Sequence, residues 1–323
     1  MLKNKRILIT GGAGFIGSTL AKKLIADNDL LLYDNLARDA RDQSLKEKGA
    51  VEFVEGNILD YAKVLETVKQ FKPTHIVHAA AIAGIDSVQA RPADTIEIDT
   101  VGTFNILNAA RELDGLERVV CFSTSEVFGS QTEPMSEKSN AQVGPVGESR
   151  WVYAVAKLAT EHAAYAYFKQ HGVPTVSVRP FNVYGPGQVG EGALSKFTKL
   201  ALNDKDITLN NGGEQVRAWC YVDDMVKAVM LCLEHENAVG KAFNVGNAAS
   251  ACKIKDLAEK VVKTANSKSK IIVQPKDGAD IMERVLDIEY PKNEIGFIAG
   301  ITLDEGLKKT VDFYRANPDK INF

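Results

Sequence analysis

Cysteine and histidine are scarce in this sequence, and their positions argue against disulfides and metal sites. The chain has four cysteines and five histidines among its 323 residues. No two cysteines form a C-x-x-C pair, and most lie in apolar surroundings, which is typical of reduced thiols in the cytosol. The histidines show no spacing that is typical of metal ligands, so the sequence predicts no bound metal.

Long apolar runs and a large net charge are also missing. No apolar run approaches the length of a membrane span, and the first predicted strand starts so early that we expect no secretory signal peptide. The formal net charge is only −3, so the chain has no overall positive field that would attract nucleic acid or an anionic membrane. These absences predict a cytoplasmic protein that binds any anionic ligand through local Arg or Lys side chains.

Strand-like and helix-like segments alternate through the first half of the chain. The predicted strands are 5–10, 30–34, 51–55, 75–80, 118–124 and 174–180. The predicted helices are 14–27, 61–71, 94–113 and 151–171. This alternation predicts an α/β fold with a doubly wound parallel sheet.

The second half is expected to form a smaller α/β domain. Glycine and proline become more frequent near residue 180, which predicts domains at 1–180 and 181–323, with parts of the second packing back on the first. Helices are predicted near 191–203, 223–235, 253–265 and 303–315, with a strand at 242–245. The segment 266–300 is polar, and we expect it to be irregular.

The most informative local motif is rich in glycine. GGAGFIG, residues 11–17, follows the apolar run at 6–10 and opens a segment with helical spacing. Glycine allows a tight turn and a close approach of the backbone, and the following helix N-terminus favours a pyrophosphate. Asp34 ends the next apolar run, where it can accept from ribose hydroxyls and would repel a 2′-phosphate. The motif predicts an NAD site, although a plain turn is the alternative and Arg38 nearby would weaken the preference over NADP.

A tyrosine and a lysine in the later helix suggest proton transfer. Tyr153 and Lys157 are four residues apart and therefore lie on one helix face. An adjacent ammonium and a positive nicotinamide would both lower the pKa of the phenol. The predicted strand 118–124 runs into STSEVFG, residues 123–129, and open α/β sheets bind ligands at such strand ends. Chance spacing and a strand end capped by its own hydroxyls are the alternatives.

Taken together, these motifs resemble those of the extended short-chain dehydrogenases/reductases of the nucleotide-sugar epimerase/dehydratase family. The resemblance covers nearly the whole chain. Its motifs are GGAGFIG (11–17), HAAA (78–81), STSEVFG (123–129), YAVAK (153–157), RPFNVYGP (179–186), RAWCYVDD (217–224) and FNVGN (243–247). The resemblance implies a Rossmann NAD-binding domain and a smaller domain that binds a nucleotide-diphosphate sugar, with a UDP-sugar favoured.

The resemblance also implies roles for individual residues. The catalytic residues would be Thr124, Glu126, Tyr153 and Lys157. The NAD-binding residues would be Gly11, Gly14, Phe15, Ile16, Gly17, Asp34, Asn35, Asn57, Ile58, Ala79, Ala80, Ala81, Ser123, Tyr153, Lys157 and Pro180. The substrate-binding residues would be Ser125, Asn182, Arg217 and Arg284. Helices 94–113 and 151–171 would pair with a partner's copies into a homodimer.

Two positions depart from the family pattern. Asp99 stands where the family usually carries Asn, which puts the local hydrogen bond to substrate or cofactor in doubt. Phe128 replaces a common Tyr, which should be harmless.

The reaction class depends on Glu126. Family members first oxidise C4 of the sugar to a ketone, and a simple 4-epimerase needs no further base. A Glu in this position accompanies C5 chemistry, and the pair Ser125–Glu126 resembles UDP-glucuronate decarboxylases and mannose-type 4,6-dehydratases. The stretches at 144–146 and 150–153 resemble bacterial decarboxylases.

The sequence therefore favours a lyase, either a UDP-glucuronate decarboxylase or a 4,6-dehydratase, with a 4-epimerase of the UDP-glucose or UDP-glucuronate type as the alternative. A non-catalytic scaffold would tolerate loss of the Thr, Tyr and Lys, all of which are present. A reductase of free ketones would lack Arg217 and Arg284.

Overall fold

A parallel sheet at the centre of the molecule is built mostly by the first half of the chain. The computed structural model describes residues 2–47, 49–275 and 281–321. The strands are β1 Arg6–Thr10, β2 Asp29–Asp34, β3 Glu52–Glu55, β4 His75–His78, β5 Arg118–Phe122, β6 Thr175–Pro180, β7 Val183–Tyr184, β8 Ile207–Asn210, β9 Val216–Arg217, β10 Cys220–Tyr221, β11 Ala242–Val245, β12 Cys252–Lys253, β13 Ile271–Gln274 and β14 Glu283–Arg284. The helices are α1 Phe15–Leu24, α2 Gln43–Lys46, α3 Tyr61–Phe71, α4 Ile85–Ala90, α5 Pro92–Ala110, α6 Arg150–His171, α7 Ala193–Leu202, α8 Val222–Glu234, α9 Ile254–Ala265, α10 Glu289–Ile295 and α11 Leu303–Ala316.

The main sheet has seven parallel strands in the order β11-β6-β5-β4-β1-β2-β3. The strand order reverses between β1 and β4, where Ile7 pairs with His75 and Thr10 with His78. In open α/β sheets, ligands bind in the crevice beyond the carboxyl ends of the strands at such a reversal. The predicted doubly wound fold is confirmed, and its binding crevice lies beside Thr10 and His78.

Both faces of the sheet are covered by helices, because its strands are apolar on both sides. In β1, Ile7 and Ile9 pack into one buried cluster with residues of α1 and α8. Leu8, between them, points to the opposite face and packs with residues of α3, α5 and α6. Continuous apolar strands of this kind are typical of parallel sheets buried on both faces.

The second half of the chain contributes to the main sheet and also has its own core. β11 pairs with β6 in the main sheet, with Phe243 opposite Val178. A separate buried cluster joins α7, α9 and α11 with β8 and its surroundings. The boundary between 180 and 181 stays a prediction.

The expectation of an irregular segment at 266–300 is wrong for its described parts. Ile271–Gln274 forms β13 beside β8, Glu283–Arg284 forms β14 beside β9, and Glu289–Ile295 is helical. β13 is mostly exposed, and the strand it pairs with lies far away in the sequence. The local signal is the β-branched apolar run at 271–273, which is short and lies among polar residues, so the pairing with β8 is what stabilises the strand. Residues 276–280 lie outside the described part.

No helix in the described ranges has both the length and the apolar character needed to cross a membrane.

A buried carboxyl near the main sheet should make stability depend on pH. Glu137 Oε1 accepts the backbone N–H of Asn244 at 2.7 Å, and burial raises the pKa of Glu137 from 4.5 to about 7. The folded protein therefore binds this proton more tightly than the unfolded chain, so Glu137 costs stability as pH rises from 4.5 through 7. Gln does not ionise, so we expect the free energy of unfolding of Glu137→Gln, relative to that of the wild type, to rise by about 1–3 kcal/mol between pH 5 and pH 8.

Urea unfolding at several pH values checks this, with the exposed Glu133→Gln as the matched control. A stability difference between Glu137→Gln and wild type that does not change with pH would contradict it.

Candidate active site

The glycine-rich loop forms a cradle that admits no side chains at its closest points. A Cβ added to Gly11 would lie 2.7 Å from Ala80 N, and one added to Gly17 would lie 2.3 Å from the carbonyl oxygen of Gly11. Gly11 also has a φ of +69°, which disfavours any other residue. α1 follows directly. Its N-cap residue is Gly14, which has no side chain to cap the N–H groups of the first turn. The N–H groups of that turn therefore fit the pyrophosphate of a dinucleotide.

Asp34 links the end of β2 to this loop. Its Oδ2 accepts the N–H of Ala13 at 3.0 Å, and its Oδ1 accepts the N–H of Leu36 at 2.8 Å. Burial raises the pKa of Asp34, while those two hydrogen bonds act in the opposite direction. Arg38 donates to Ala83 O at 2.9 Å and to Ser87 Oγ at 2.7 Å. The Arg38 guanidinium is therefore engaged with Ala83 and Ser87 rather than with Asp34.

This arrangement predicts a preference between the two nicotinamide dinucleotides. Asp34 would repel a 2′-phosphate, so the affinities for NAD and NADP should differ at least tenfold, which corresponds to about 1.4 kcal/mol. Titration calorimetry on the cofactor-free protein measures both affinities, and Asp34→Asn should narrow the difference. Equal affinities of the wild type would contradict the assignment.

The other residues predicted to bind NAD lie near the same edge of the sheet. Ala79, Ala80 and Ala81 directly follow β4, and the first two contact Gly11. Ile58 is buried and packs against Gly102 of α5. Position at this edge and burial do not by themselves assign a contact with the cofactor, so the NAD-binding roles of these four residues stay predictions.

The remaining predicted cofactor residues make contacts within the chain. Asn35 Oδ1 accepts the N–H of Ala37 at 3.1 Å, and Asn57 accepts the Tyr33 hydroxyl through its carbonyl at 3.0 Å. Pro180 ends β6, while Phe15 and Ile16 begin α1.

Ser123, also predicted to bind the cofactor, belongs to a buried polar network in which its hydroxyl donates to Glu161 Oε1. Glu161 in turn accepts two hydrogen bonds from Arg179, at 2.8 and 2.7 Å. No sequence motif predicted this buried network, because Ser123 follows β5, Glu161 lies in α6 and Arg179 lies in β6, far apart in the sequence.

Thr124, Tyr153 and Lys157 come together beside the crevice. Tyr153 and Lys157 share α6, with Lys157 Nζ 5.9 Å from the centre of the Tyr153 ring. Thr124 follows β5, and its hydroxyl hydrogen-bonds the Tyr153 phenol. Lys157 is only 3% exposed. A hydroxyl, a phenol and an ammonium therefore lie close together, and the three could transfer one proton.

The lowering of the Tyr153 pKa expected from Lys157 is not found, and the lowering expected from a bound nicotinamide stays a prediction. Burial raises the pKa of Tyr153, and the charges of Asp99 and Glu126 raise it further, while the hydrogen bond with Thr124 acts against them. Lys157 Nζ lies 3.5 Å from Asp99 Oδ2, so its charge is already paired. From the sequence, Asp99 was apparent only as a departure from the family pattern, and its ion pair with Lys157 was not predicted.

Glu126, two residues after Thr124, forms an ion pair with Arg284. Arg284 is 2% exposed, its Nη1 donates to Glu126 Oε1, and its Nη2 donates to the carbonyl of Gly129 at 3.0 Å. β14 pairs with β9, which sets Arg284 beside Arg217. A buried guanidinium with a partly exposed carboxylate can bind an anionic group of a ligand.

The other predicted substrate residues are held by the chain itself. Arg217 donates to Val216 O at 2.9 Å and to Ile281 O at 2.8 Å. Asn182 has a φ of +38°, and its amide donates to Ala218 O at 2.9 Å. Ser125 is buried next to Thr124. Their roles in binding a substrate stay predictions.

The family model that matches residues 7–246 is that of the NAD-dependent epimerase/dehydratase family. The chain belongs to this family. It is therefore an NAD-dependent enzyme, and the predicted family, fold and cofactor are confirmed. NAD, when bound, supplies a reversible hydride acceptor, and the glycine cradle and Asp34 are the features that fit it.

Individual relatives carry different activities in their names. The chain is 33% identical to UDP-N-acetyl-alpha-D-glucosaminuronate decarboxylase of Bacillus cytotoxicus, with 96% of this chain and 98% of that protein covered. It is 32% identical to UDP-glucuronic acid decarboxylase 1 of Xenopus tropicalis, with 96% and 72% covered. Among solved structures, UDP-glucose 4-epimerase of Thermus thermophilus in complex with NAD superposes with a TM-score of 0.85 at 29% identity, with 96% and 99% covered.

Proposed function

We propose that this protein is a lyase that decarboxylates a UDP-hexuronate after transient oxidation of the sugar at C4. The observation that carries the proposal is the Glu126–Arg284 ion pair beside Thr124 and Tyr153. A 4-epimerase needs only the proton carrier and the hydride acceptor, and has no use for a second acid–base group. The decarboxylases of Bacillus cytotoxicus and Xenopus tropicalis, both relatives of this chain, support the same proposal.

The residues of the chain account for the oxidation at C4. Tyr153 would take the proton of the C4 hydroxyl, and NAD, when held by the glycine loop and Asp34, would supply the acceptor for the C4 hydride. Thr124, whose side chain acts on the phenol as a hydrogen-bond partner, would help to orient that hydroxyl towards Tyr153. Positioned acid–base groups of this kind contribute about 100- to 10,000-fold to rate.

The ketone then prepares loss of the carboxylate. Once C4 is a ketone, C4, C5 and the C6 carboxylate together form a β-keto acid, which loses carbon dioxide readily. The C5–C6 bond breaks, carbon dioxide leaves, and the bonding electron pair moves into an enolate whose charge lies on the C4 oxygen. Tyr153 and Thr124 can stabilise that charge by hydrogen bonds. A proton delivered to C5, the role proposed for Glu126, gives a UDP-4-keto-pentose. Return of the hydride to C4, with the proton held by Tyr153, would then give the UDP-pentose, whereas release before that return gives the 4-keto form.

Arg284 has a particular part in this proposal. Without a cation, the carboxylate of Glu126 would repel a uronate. Arg284 compensates that charge and, with the N–H groups not used on Glu126 and Gly129, can orient the substrate carboxylate. Arg217, Asn182 and Ser125 would bind the nucleotide diphosphate and sugar.

The experiment is to incubate the wild type with UDP-glucuronate, UDP-N-acetylglucosaminuronate, UDP-glucose and UDP-N-acetylglucosamine, and to identify the products by mass. We expect a UDP-pentose or its 4-keto form, together with carbon dioxide, from at least one hexuronate. A 6-deoxy-4-keto sugar from UDP-glucose would instead make the protein a 4,6-dehydratase, and C4 epimers alone would make it an epimerase.

We also propose that the protein is a cytoplasmic homodimer. All four cysteines are free thiols, which supports a reducing compartment. The large apolar residues exposed on α5 and α6 are Ile96, Val101, Phe104, Val155 and Tyr165. An exposed apolar surface on two adjacent long helices supports burial against a second copy.

Light scattering at micromolar concentration should therefore give twice the mass of the chain. Phe104→Glu places a charge in the proposed interface and should shift the protein towards monomer, whereas Tyr61→Glu on α3 should leave the mass unchanged. A monomeric wild type would contradict the proposed dimer.

A further inference from the structure

Asp99 is a buried carboxylate held from several sides. It lies on α5 and is fully buried, and its Oδ1 accepts the N–H of Ile82 at 3.0 Å. Its carbonyl accepts the hydroxyls of Thr103 at 2.6 Å and Thr160 at 3.1 Å, so the residue is fixed from α5 and α6. Its second carboxylate oxygen, Oδ2, faces Lys157 Nζ at 3.5 Å and makes no hydrogen bond to any described residue.

Asp differs from Asn at this position in charge rather than in shape, and the negative charge is what matters here. An Asn would accept the N–H of Ile82 equally well through its amide oxygen. Its amide nitrogen would then face the Lys157 ammonium, a donor against a donor. A carboxylate instead compensates a cation that is 3% exposed. Without this carboxylate the buried Lys157 ammonium would face no opposite charge from Asp99, and an unpaired buried charge is costly.

The other titratable groups around Lys157 do not offset its charge. His78 on β4 hydrogen-bonds Thr10 and Thr103, and burial together with Lys157 lowers the pKa of His78 to about 3. Burial raises the pKa of Cys121 on β5 to about 12, so this thiol stays neutral. Glu126, which faces Tyr153, is paired with Arg284. Burial raises the pKa of Asp99, whereas Lys157 and the N–H of Ile82 lower it.

We propose that Asp99 is a positioning residue that fixes Lys157 and compensates its positive charge. Tyr153 therefore keeps its proton until a cationic ligand binds. The inference rests on the proposed role of Tyr153 as the proton carrier. With Lys157 paired, the ammonium no longer favours the phenolate, and the positive nicotinamide of oxidised NAD becomes the charge that releases the proton. Asp99 thereby couples deprotonation of Tyr153 to cofactor binding.

The test measures proton release rather than turnover. Calorimetric titration of the cofactor-free protein with oxidised NAD, in buffers of different ionisation enthalpy, gives the number of protons released at each pH. Asp99→Asn should release the Tyr153 proton with a midpoint at least one pH unit lower than the wild type, a tenfold gain in acidity. The same proton should be missing in Tyr153→Phe, and Asp94→Asn, an exposed carboxylate on the same helix, should behave as the wild type.

The acid limb of the pH–rate profile should move in the same direction in Asp99→Asn, and Asp99→Glu, which restores the charge, should return both midpoints towards the wild type. An unchanged midpoint in Asp99→Asn would overturn the proposal. If Asp99→Asn does not fold, Asp99→Ser replaces it, and failure of both neutral variants to fold would also overturn it, because the charge would then serve folding. Since no sugar is used in the titration, its outcome is independent of whether the protein is a decarboxylase.

Discussion

Tyr153→Phe should lower turnover about 100- to 10,000-fold while NAD remains bound. The phenol hydroxyl is the group placed beside Thr124 to take the proton of the C4 hydroxyl, and Phe keeps the ring but lacks that atom. Because the ring still packs on α6 near Lys157, the cofactor cradle should be unaffected. Turnover is measured by product formation, and NAD affinity by calorimetry.

The matched control for this variant is Tyr61→Phe, which removes a hydroxyl from an exposed tyrosine on α3. It should turn over as the wild type does. Near-normal turnover of Tyr153→Phe would mean that the interpretation of Tyr153 and Lys157 is wrong.

Glu126→Gln should separate oxidation from the later steps. The amide keeps the size of the side chain and can still accept from Arg284, but it can neither take nor deliver a proton at neutral pH. We expect the variant to form reduced cofactor and a 4-keto sugar, while completed product falls about 100-fold or more. Cofactor absorbance follows the first step, and mass spectrometry follows the product.

Glu133→Gln, an exposed change in the loop after β5, serves as the control and should complete the reaction. If Glu126 only binds a substrate hydroxyl, Glu126→Gln would interconvert C4 epimers at a moderately reduced rate. That result would remove the main argument for a lyase.

The central sheet could be predicted from the sequence because its strands are apolar on both faces and are separated by helices. β1, β2, β4, β5 and β6 agree with the predicted segments to within a few residues. The glycine loop could also be predicted, since its backbone geometry excludes side chains at Gly11 and Gly17. In both cases the local pattern and the tertiary structure require the same residues.

The rest depended on contacts between distant parts of the chain. β13 and β14 are short, and the strands they pair with lie far away in sequence, so no local periodicity marks them. The ion pair between Asp99 and Lys157 joins two helices, and only the folded structure shows that it takes up the charge expected to act on Tyr153. Charge pairing of this kind requires three-dimensional distances.

The central claim, oxidation at C4 followed by loss of the C6 carboxylate, is tested most directly by isotopic labelling. The wild type is incubated in deuterated water with a UDP-hexuronate that carries an isotopic label at C6. We expect the label to leave as carbon dioxide and the sugar product to gain deuterium at C5. Retention of the C6 label in a C4 epimer without deuterium would contradict it.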